Sequence, residues 1–216
     1  MRTAPIIALL LLCSGHVLAA NQTFQLQPFS ALSLARGMNV TVKCGDRNTL
    51  AISGNTNLVD KLTWQVSGNT LTVNNTAYHE NGFDFNPNKL GVTITTTTPI
   101  TTVDAQFGVA VDMAACSYTS DTLNLDGTMG ASYTVSGTID TLNLTLSMGA
   151  DFNQASQNLR INQANVELSM GVDANVCGAQ QAQGTVSMGA KIVVGERTQT
   201  DQLKVSLAGK HSRQSC

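Results

Sequence analysis

Charged side chains are scarce in this chain. Lys, Arg, Asp and Glu make up 12% of its 216 residues, and 12 basic groups against 14 acidic ones leave a formal net charge of −2. A nucleic-acid binder needs a basic stripe to displace counterions from phosphates. Beyond Arg2 the arginines (Arg36, Arg47, Arg160, Arg197, Arg213) are dispersed singly, which excludes nucleic acid as a partner. Histidine is also nearly missing. Beyond the first twenty residues only His79 and His211 remain, neither in H-E-x-x-H, and both are read as surface residues. The sequence holds no G-x-S-x-G elbow, no glycine-rich phosphate loop and no C-x-x-C pair. Nucleophile–base catalysis, nucleotide binding and zinc therefore lack a local signature, and no cofactor is expected. No apolar run approaches the roughly 20 residues of a membrane span.

The start of the chain reads as a secretory signal over residues 1–20. Arg2 supplies the positive end, Ile6 to Leu12 the apolar stretch, and Val17-Leu18-Ala19 or Leu18-Ala19-Ala20 the small-residue cleavage site. Lipidation at Cys13 is disfavoured because Leu12, just before it, is not small. Export to the periplasm, the outer surface or the medium is the expectation. Without residues 1–20 the chain has 216 − 20 = 196 residues and a charge of 11 − 14 = −3. Four cysteines remain, Cys44, Cys116, Cys177 and Cys216, an even number that permits two disulfides in an exported protein. Three connectivities are open. Cys44–Cys116 with Cys177–Cys216 is the arrangement that would tie each end of the fold.

What the chain does have is a repeat. Thr128-Met129-Gly130-Ala131, Ser147-Met148-Gly149-Ala150, Ser169-Met170-Gly171-Val172 and Ser187-Met188-Gly189-Ala190 are near-copies, with weaker versions at Gln106-Phe107-Gly108-Val109 and Ser206-Leu207-Ala208-Gly209. Their second positions lie 22, 19, 22, 18 and 19 residues apart. A period near twenty with strand-like residues between copies predicts a β-solenoid. Around each copy, alternate residues are apolar: Leu142, Leu144 and Leu146 before Met148, then Ala150 and Phe152 after it. Such alternation places one set inside and the other in water.

Carried straight through, the same phase predicts an interior column of Phe107, Met129, Met148, Met170, Met188 and Leu207, with flexible thioethers filling a narrow core. Metal binding by these methionines is set aside, because an inward column has no histidine beside it. Gly108, Gly130, Gly149, Gly171 and Gly189 then form an outward column. They serve either a bend with positive φ or the close approach of another surface, and the bend is favoured. The next outward column reads Ala110, Ser132, Asp151, Asp173, Lys191, Lys210. Asp151 and Asp173 on successive coils are the sharpest candidates for Ca²⁺ or for an acid/base pair acting on a polysaccharide. A solvated ladder with Asp173 paired to Lys191 is the plainer expectation.

Residues 21–105 carry β character in another rhythm, continuous with the Met-Gly repeat of 106–216. Strands are expected at Val40–Lys43, Leu50–Ile52, Leu62–Val66, Leu71–Val73 and Val92–Thr95, with a hairpin turn at Ser67-Gly68-Asn69-Thr70. Tyr78 to Lys89 reads as a loop, and Gln154 to Gln163 and Gln180 to Gly184 as turns bulging from the coils.

The run from Phe24 to Val42, then Gly45-Asp46, Gly54-Asn55, Leu58-Val59-Asp60-Lys61-Leu62, Gly68-Asn69-Thr70-Leu71-Thr72-Val73 and the strand-Gly units resembles the bacterial head GIN domain, an adhesin-head family without an assigned activity. The likeness covers about residues 24 to 195. It implies an all-β, right-handed parallel β-helix-like fold, an envelope or extracellular location, and no catalytic residues. Methionine before the repeated glycine departs from the family pattern, as do the four cysteines. The expected function is that of a non-enzymatic surface or periplasmic protein binding glycan, protein or its own copies, the last because a terminal coil exposes a strand edge. A carbohydrate-active enzyme using Asp151 and Asp173, and a purely structural envelope protein, are the alternatives.

Overall fold

Strands with one apolar face must cover that face, and a chain that repeats the same strands does so by winding. The computed structural model describes residues 19–76, 90–116 and 118–216. It is almost all β and forms a parallel β-solenoid of about five turns. The expected loop Tyr78 to Lys89 and His79 lie outside the described residues, as does most of the signal segment.

The coils do not stack in chain order. β6 (Thr70–Asn75) and β7 (Leu90–Thr96) make one coil, β2 (Ala31–Ala35) and β3 (Asn39–Cys44) the next, β8 (Thr102–Gln106) and β9 (Ala110–Asp112) the third. β2 lies parallel between β6 and β8, and β3 parallel between β7 and β9. From there the chain climbs in order through β10 (Tyr118–Thr128), β11 (Ser132–Leu146), β12 (Asp151–Leu168), β13 (Asp173–Val176), β14 (Ala179–Val186), β15 (Lys191–Gly195), β16 (Leu203–Val205) and β17 (Lys210–Gln214). Every coil has a front face before the Met-Gly corner and a back face after it. The lower end is closed by antiparallel strands. β4 (Thr49–Asn55) pairs with β7, β1 (Ala19–Gln25) with β4, and β5 (Leu62–Ser67) with β6 through the Gly68-Asn69 turn. β8 crosses the 105/106 boundary, so the N-terminal region and the repeats form one continuous stack.

Inward positions of the front strands (Leu123, Leu125, Leu142, Leu144, Leu146, Val166, Leu168) meet those of the back strands (Ala131, Tyr133, Val135, Ala150, Phe152, Val172, Val176), and all are buried. Gly127 interrupts the inward row for a packing reason. A Cβ there would lie 2.8 Å from the ring of Tyr133, whose buried hydroxyl donates to the Asp126 carbonyl.

Three expectations are corrected. The methionine column is not interior: Met129, Met148, Met170 and Met188 are 41%, 44%, 49% and 51% exposed, and Phe107 is only partly covered. Alternation holds only while the backbone stays extended, and these residues sit at corners. Leu203, Val205 and Leu207 continue the apolar pattern but remain partly or well exposed, because no described coil lies beyond them. The Gln-rich stretches are strand rather than turn, in β12 and β14. β12 absorbs its extra length as an irregularity, its register with β11 jumping from Val135↔Gln154 to Gly137↔Leu159.

Cys44 bonds Cys116 and Cys177 bonds Cys216, with Cα atoms 5.2 and 5.9 Å apart. The first pins β3 to the 3₁₀ turn Ala114–Cys116, and the second returns the C-terminal tail to the end of β13. Closing loops of 72 and 39 residues removes unfolded-chain entropy equivalent to about 4 kcal/mol each. Replacing Cys177 and Cys216 together by serine is expected to lower Tm and to abolish amide protection in β16 and β17 first. Hydrogen exchange that instead decays evenly through the stack would contradict this.

Candidate functional site

The corners carry the least ordinary chemistry of the fold. At each Ser/Thr-Met-Gly corner both central residues have positive φ: 54°, 52°, 57° and 51° at Met129, Met148, Met170 and Met188, then 77°, 70°, 73° and 76° at the following glycines. Two consecutive positive φ values are the mark of a type I′ turn, which suits Asn-Gly and penalises a bulky first residue. The turns are closed by Ala131 N–H to the Thr128 carbonyl, Ala150 to Ser147 and Ala190 to Ser187, at 3.3, 3.3 and 3.0 Å. They also bond to each other. The amide of Gly108 donates to the Met129 carbonyl, Gly130 to Met148, Gly149 to Met170, Gly171 to Met188 and Gly189 to Leu207, at 3.0 to 3.2 Å. Gly37 donates to Phe107 at 2.8 Å in the same way. Arg36-Gly37, with φ of 74° and 48°, is thus another corner of the ladder. The corner glycines serve the bend, since a Cβ on Gly130, Gly149, Gly171 or Gly189 would meet no atom within 4 Å.

On the front face, five positions before each methionine, an amide row runs up the stack. Asn143 Nδ2 donates to Asn124 Oδ1 and Asn165 Nδ2 to Asn143 Oδ1, both at 2.7 Å. Gln183 Nε2 donates to Asn165 Oδ1 at 2.9 Å, and Gln163 Nε2 to the same oxygen at 2.8 Å. Each carboxamide carries two N–H groups, and the row uses one from Asn143 and one from Asn165. Two positions further along, the outward row reads Asp104, Asp126, Thr145, Glu167, Thr185, Lys204. The upper parts of both rows line a shallow cleft of about 610 Å³ that also takes in Asp201 and Gln202.

The family model for the putative auto-transporter adhesin, head GIN domain, matches residues 28–197. This chain belongs to the head GIN domain family. Its coils are similar to those of a putative adhesin from Bacteroides fragilis, at 16% identity and a TM-score of 0.67 over 91% of this chain and 97% of that one. Putative adhesins from Parabacteroides distasonis (12% identity, TM-score 0.60, 93% and 98% covered) and Parabacteroides merdae (13%, 0.52, 91% and 96%) share the fold. No functionally curated protein matches the chain.

Within this GIN domain the register sets Asp151 beside Asp173 and Asp173 beside Lys191 on the outer back face. The Lys191 ammonium lies 3.3 Å from Asp173, with both side chains more than half exposed. Burial, and then the neighbouring Asp173 charge, push the Asp151 carboxyl above its usual range. Among the described residues no three His, Cys, Asp or Glu side chains gather as a metal would require. A second carboxylate pair, Asp104 and Asp126, sits on the front face. Partial burial and then Asp104 raise the Asp126 carboxyl, while Gln106 Nε2 donates to Asp104 at 3.1 Å. His211 lies largely exposed on β17, its imidazole held below its usual range by partial desolvation and then by Arg213. Arg213 itself fastens the last turn, donating to the carbonyls of Glu196 and Thr198 at 2.9 Å.

The amide row and the Asp104–Asp126 pair were not singled out from sequence. Both follow from fixed offsets to the repeated methionine, five residues for Asn124, Asn143, Asn165 and Gln183 and three for the acidic row.

Two outcomes are expected. Left-handed backbone disfavours a bulky residue by about 1 kcal/mol or more, and asparagine tolerates it better. Met148→Asn should therefore raise the urea midpoint, by about 0.5–1 kcal/mol in stability, whereas Met148→Leu should leave it unchanged. Asp151 has a folded-state pKa above its unfolded value, so its ionisation weakens the fold as pH rises through that range. Asp151→Asn should raise Tm slightly at pH 7, by no more than a few tenths of a kcal/mol for so exposed a group, and not at pH 3. A Tm that Ca²⁺ raises in the parent but not in this variant would instead mark an ion site.

Proposed function

We propose that this chain is an exported, non-enzymatic, adhesin-like solenoid that binds glycan chains along the amide-lined front face. Family membership supports an adhesin-like role. Two disulfides support export, since such bonds persist in oxidising compartments. The observation that carries the ligand class is the cleft at Asn143, Asn165 and Gln183. Carboxamides at a regular strand spacing of about 4.8 Å present donors and acceptors together, which is the pattern sugar hydroxyls require. Because the row is hydrogen-bonded through Asn124, Asn143 and Asn165, its members are oriented before any ligand arrives, and little ordering entropy opposes binding. Lys204 at the upper end and Glu167 beside the row add charge that would favour some glycans over others.

The corresponding experiment is a glycan array followed by titration of the best ligand. Asn143→Ala with Asn165→Ala should weaken binding by about tenfold or more, the effect of losing one to two kcal/mol of hydrogen bonding, in a protein that keeps its native far-UV circular dichroism although Tm falls with the row's own hydrogen bonds. Cleavage of acidic polysaccharides that depends on Asp151 and Asp173 would favour an enzyme instead. Silence on the array together with no turnover would favour a structural role.

A further inference from the structure

We propose that the methionine row Met129, Met148, Met170 and Met188 coordinates a soft monovalent d¹⁰ cation, Cu(I), between thioether sulfurs of neighbouring coils. The inference rests on the corners and is independent of the glycan reading. Four successive corners carry sulfur where asparagine or glycine would relieve the backbone, and where leucine would offer the same apolar contact. The other methionines among the described residues, Met38 and Met113, are fully buried in the core. The row is therefore the accessible soft-donor set among the described residues, because Cys44, Cys116, Cys177 and Cys216 are all committed to disulfides. Thioether sulfur selects Cu(I) over hard cations.

The spacing of the corners suits such an ion. With φ confined to 51–57°, the four corners share one turn conformation and lie on successive coils. Coils stack about 4.8 Å apart, while two metal–sulfur bonds of about 2.3 Å, the length thiolate makes to zinc, span about 4.6 Å in line. A third sulfur is available from the next coil, since methionine has three rotatable bonds and adapts its reach. The glycine-to-carbonyl bonds between corners hold the corner backbones in place, so the four side chains start from fixed, regularly spaced points. The flanking groups are neutral hydroxyls, with Ser147 Oγ donating to Thr128 Oγ1 at 3.1 Å, which do not compete for a soft cation.

The test is anaerobic titration of the full chain with Ag(I), a redox-inert probe, and in parallel with Cu(I), read by methionine methyl NMR. The methyls of Met129, Met148, Met170 and Met188 should shift with both ions, those of Met38 and Met113 should not, and Zn(II) should move none. The double variant Met148→Leu and Met170→Leu keeps the same corner strain and should retain Tm. It should weaken Ag(I) binding by about 100-fold, the upper end of what altered supporting groups cost a metal site. Met129→Leu with Met188→Leu, which spares the central pair, should lose less. Row methyls unmoved by either ion, a response to Ag(I) but not Cu(I), an equal response to Zn(II), or unchanged affinity in the Met148/Met170 variant would each overturn the proposal.

Discussion

The bond from each corner glycine amide to the carbonyl of the next coil's corner residue is the constraint on which the stack depends. A β-solenoid must reverse direction once per coil, and the reversal leaves backbone groups without partners unless a neighbouring turn supplies them. Here the run from Gly37 to Leu207 supplies one at every step. That continuity keeps non-glycine residues in the left-handed region, which an isolated turn would not sustain at four methionines, a phenylalanine and a leucine. It also aligns the strands on both sides, so front and back faces inherit a common register.

From that register come surfaces of distinct chemistry. The corner is apolar and sulfur-rich, the front face is amide-lined with carboxylates beside it, and the back face carries the Asp151–Asp173–Lys191 column. Each is a row because the same offset from the corner recurs on every coil. A small number of residue choices per repeat is thereby multiplied into an extended surface, the usual way in which solenoids build binding faces. The scaffold is rigid where this matters. One disulfide ties the second coil to the turn after β9, the other ties the C-terminal tail to the end of β13, and antiparallel strands close the lower edge that a parallel stack would leave open.

Much of this was legible in the residues. The twenty-residue period announced the coils, and the alternation around Leu142, Leu144, Leu146, Ala150 and Phe152 named the buried face correctly. The Gly68-Asn69 hairpin was likewise readable because β5 and β6 adjoin in sequence, and β3, β4 and β7 because alternation is a local pattern, whereas β1 and β2 were not expected. The amide row was present as a fixed offset but carried no local oddity to draw notice. Arg36-Gly37 was hidden as a corner because it lies 71 residues from Phe107, across an excursion through β4 to β7.

The sequence by itself determined that this chain is a β-solenoid with a period near twenty and an aliphatic interior, since periodicity and burial preference act residue by residue. Only the tertiary structure decided which way the methionines point. Their parity matches the core, yet a corner with positive φ turns the side chain outward, and the corner's carbonyl finds its partner on a different coil. The stacking order was likewise beyond local reading: β2 and β3 slot between coils that follow them in the chain, and only strand pairing across those distances selects that arrangement.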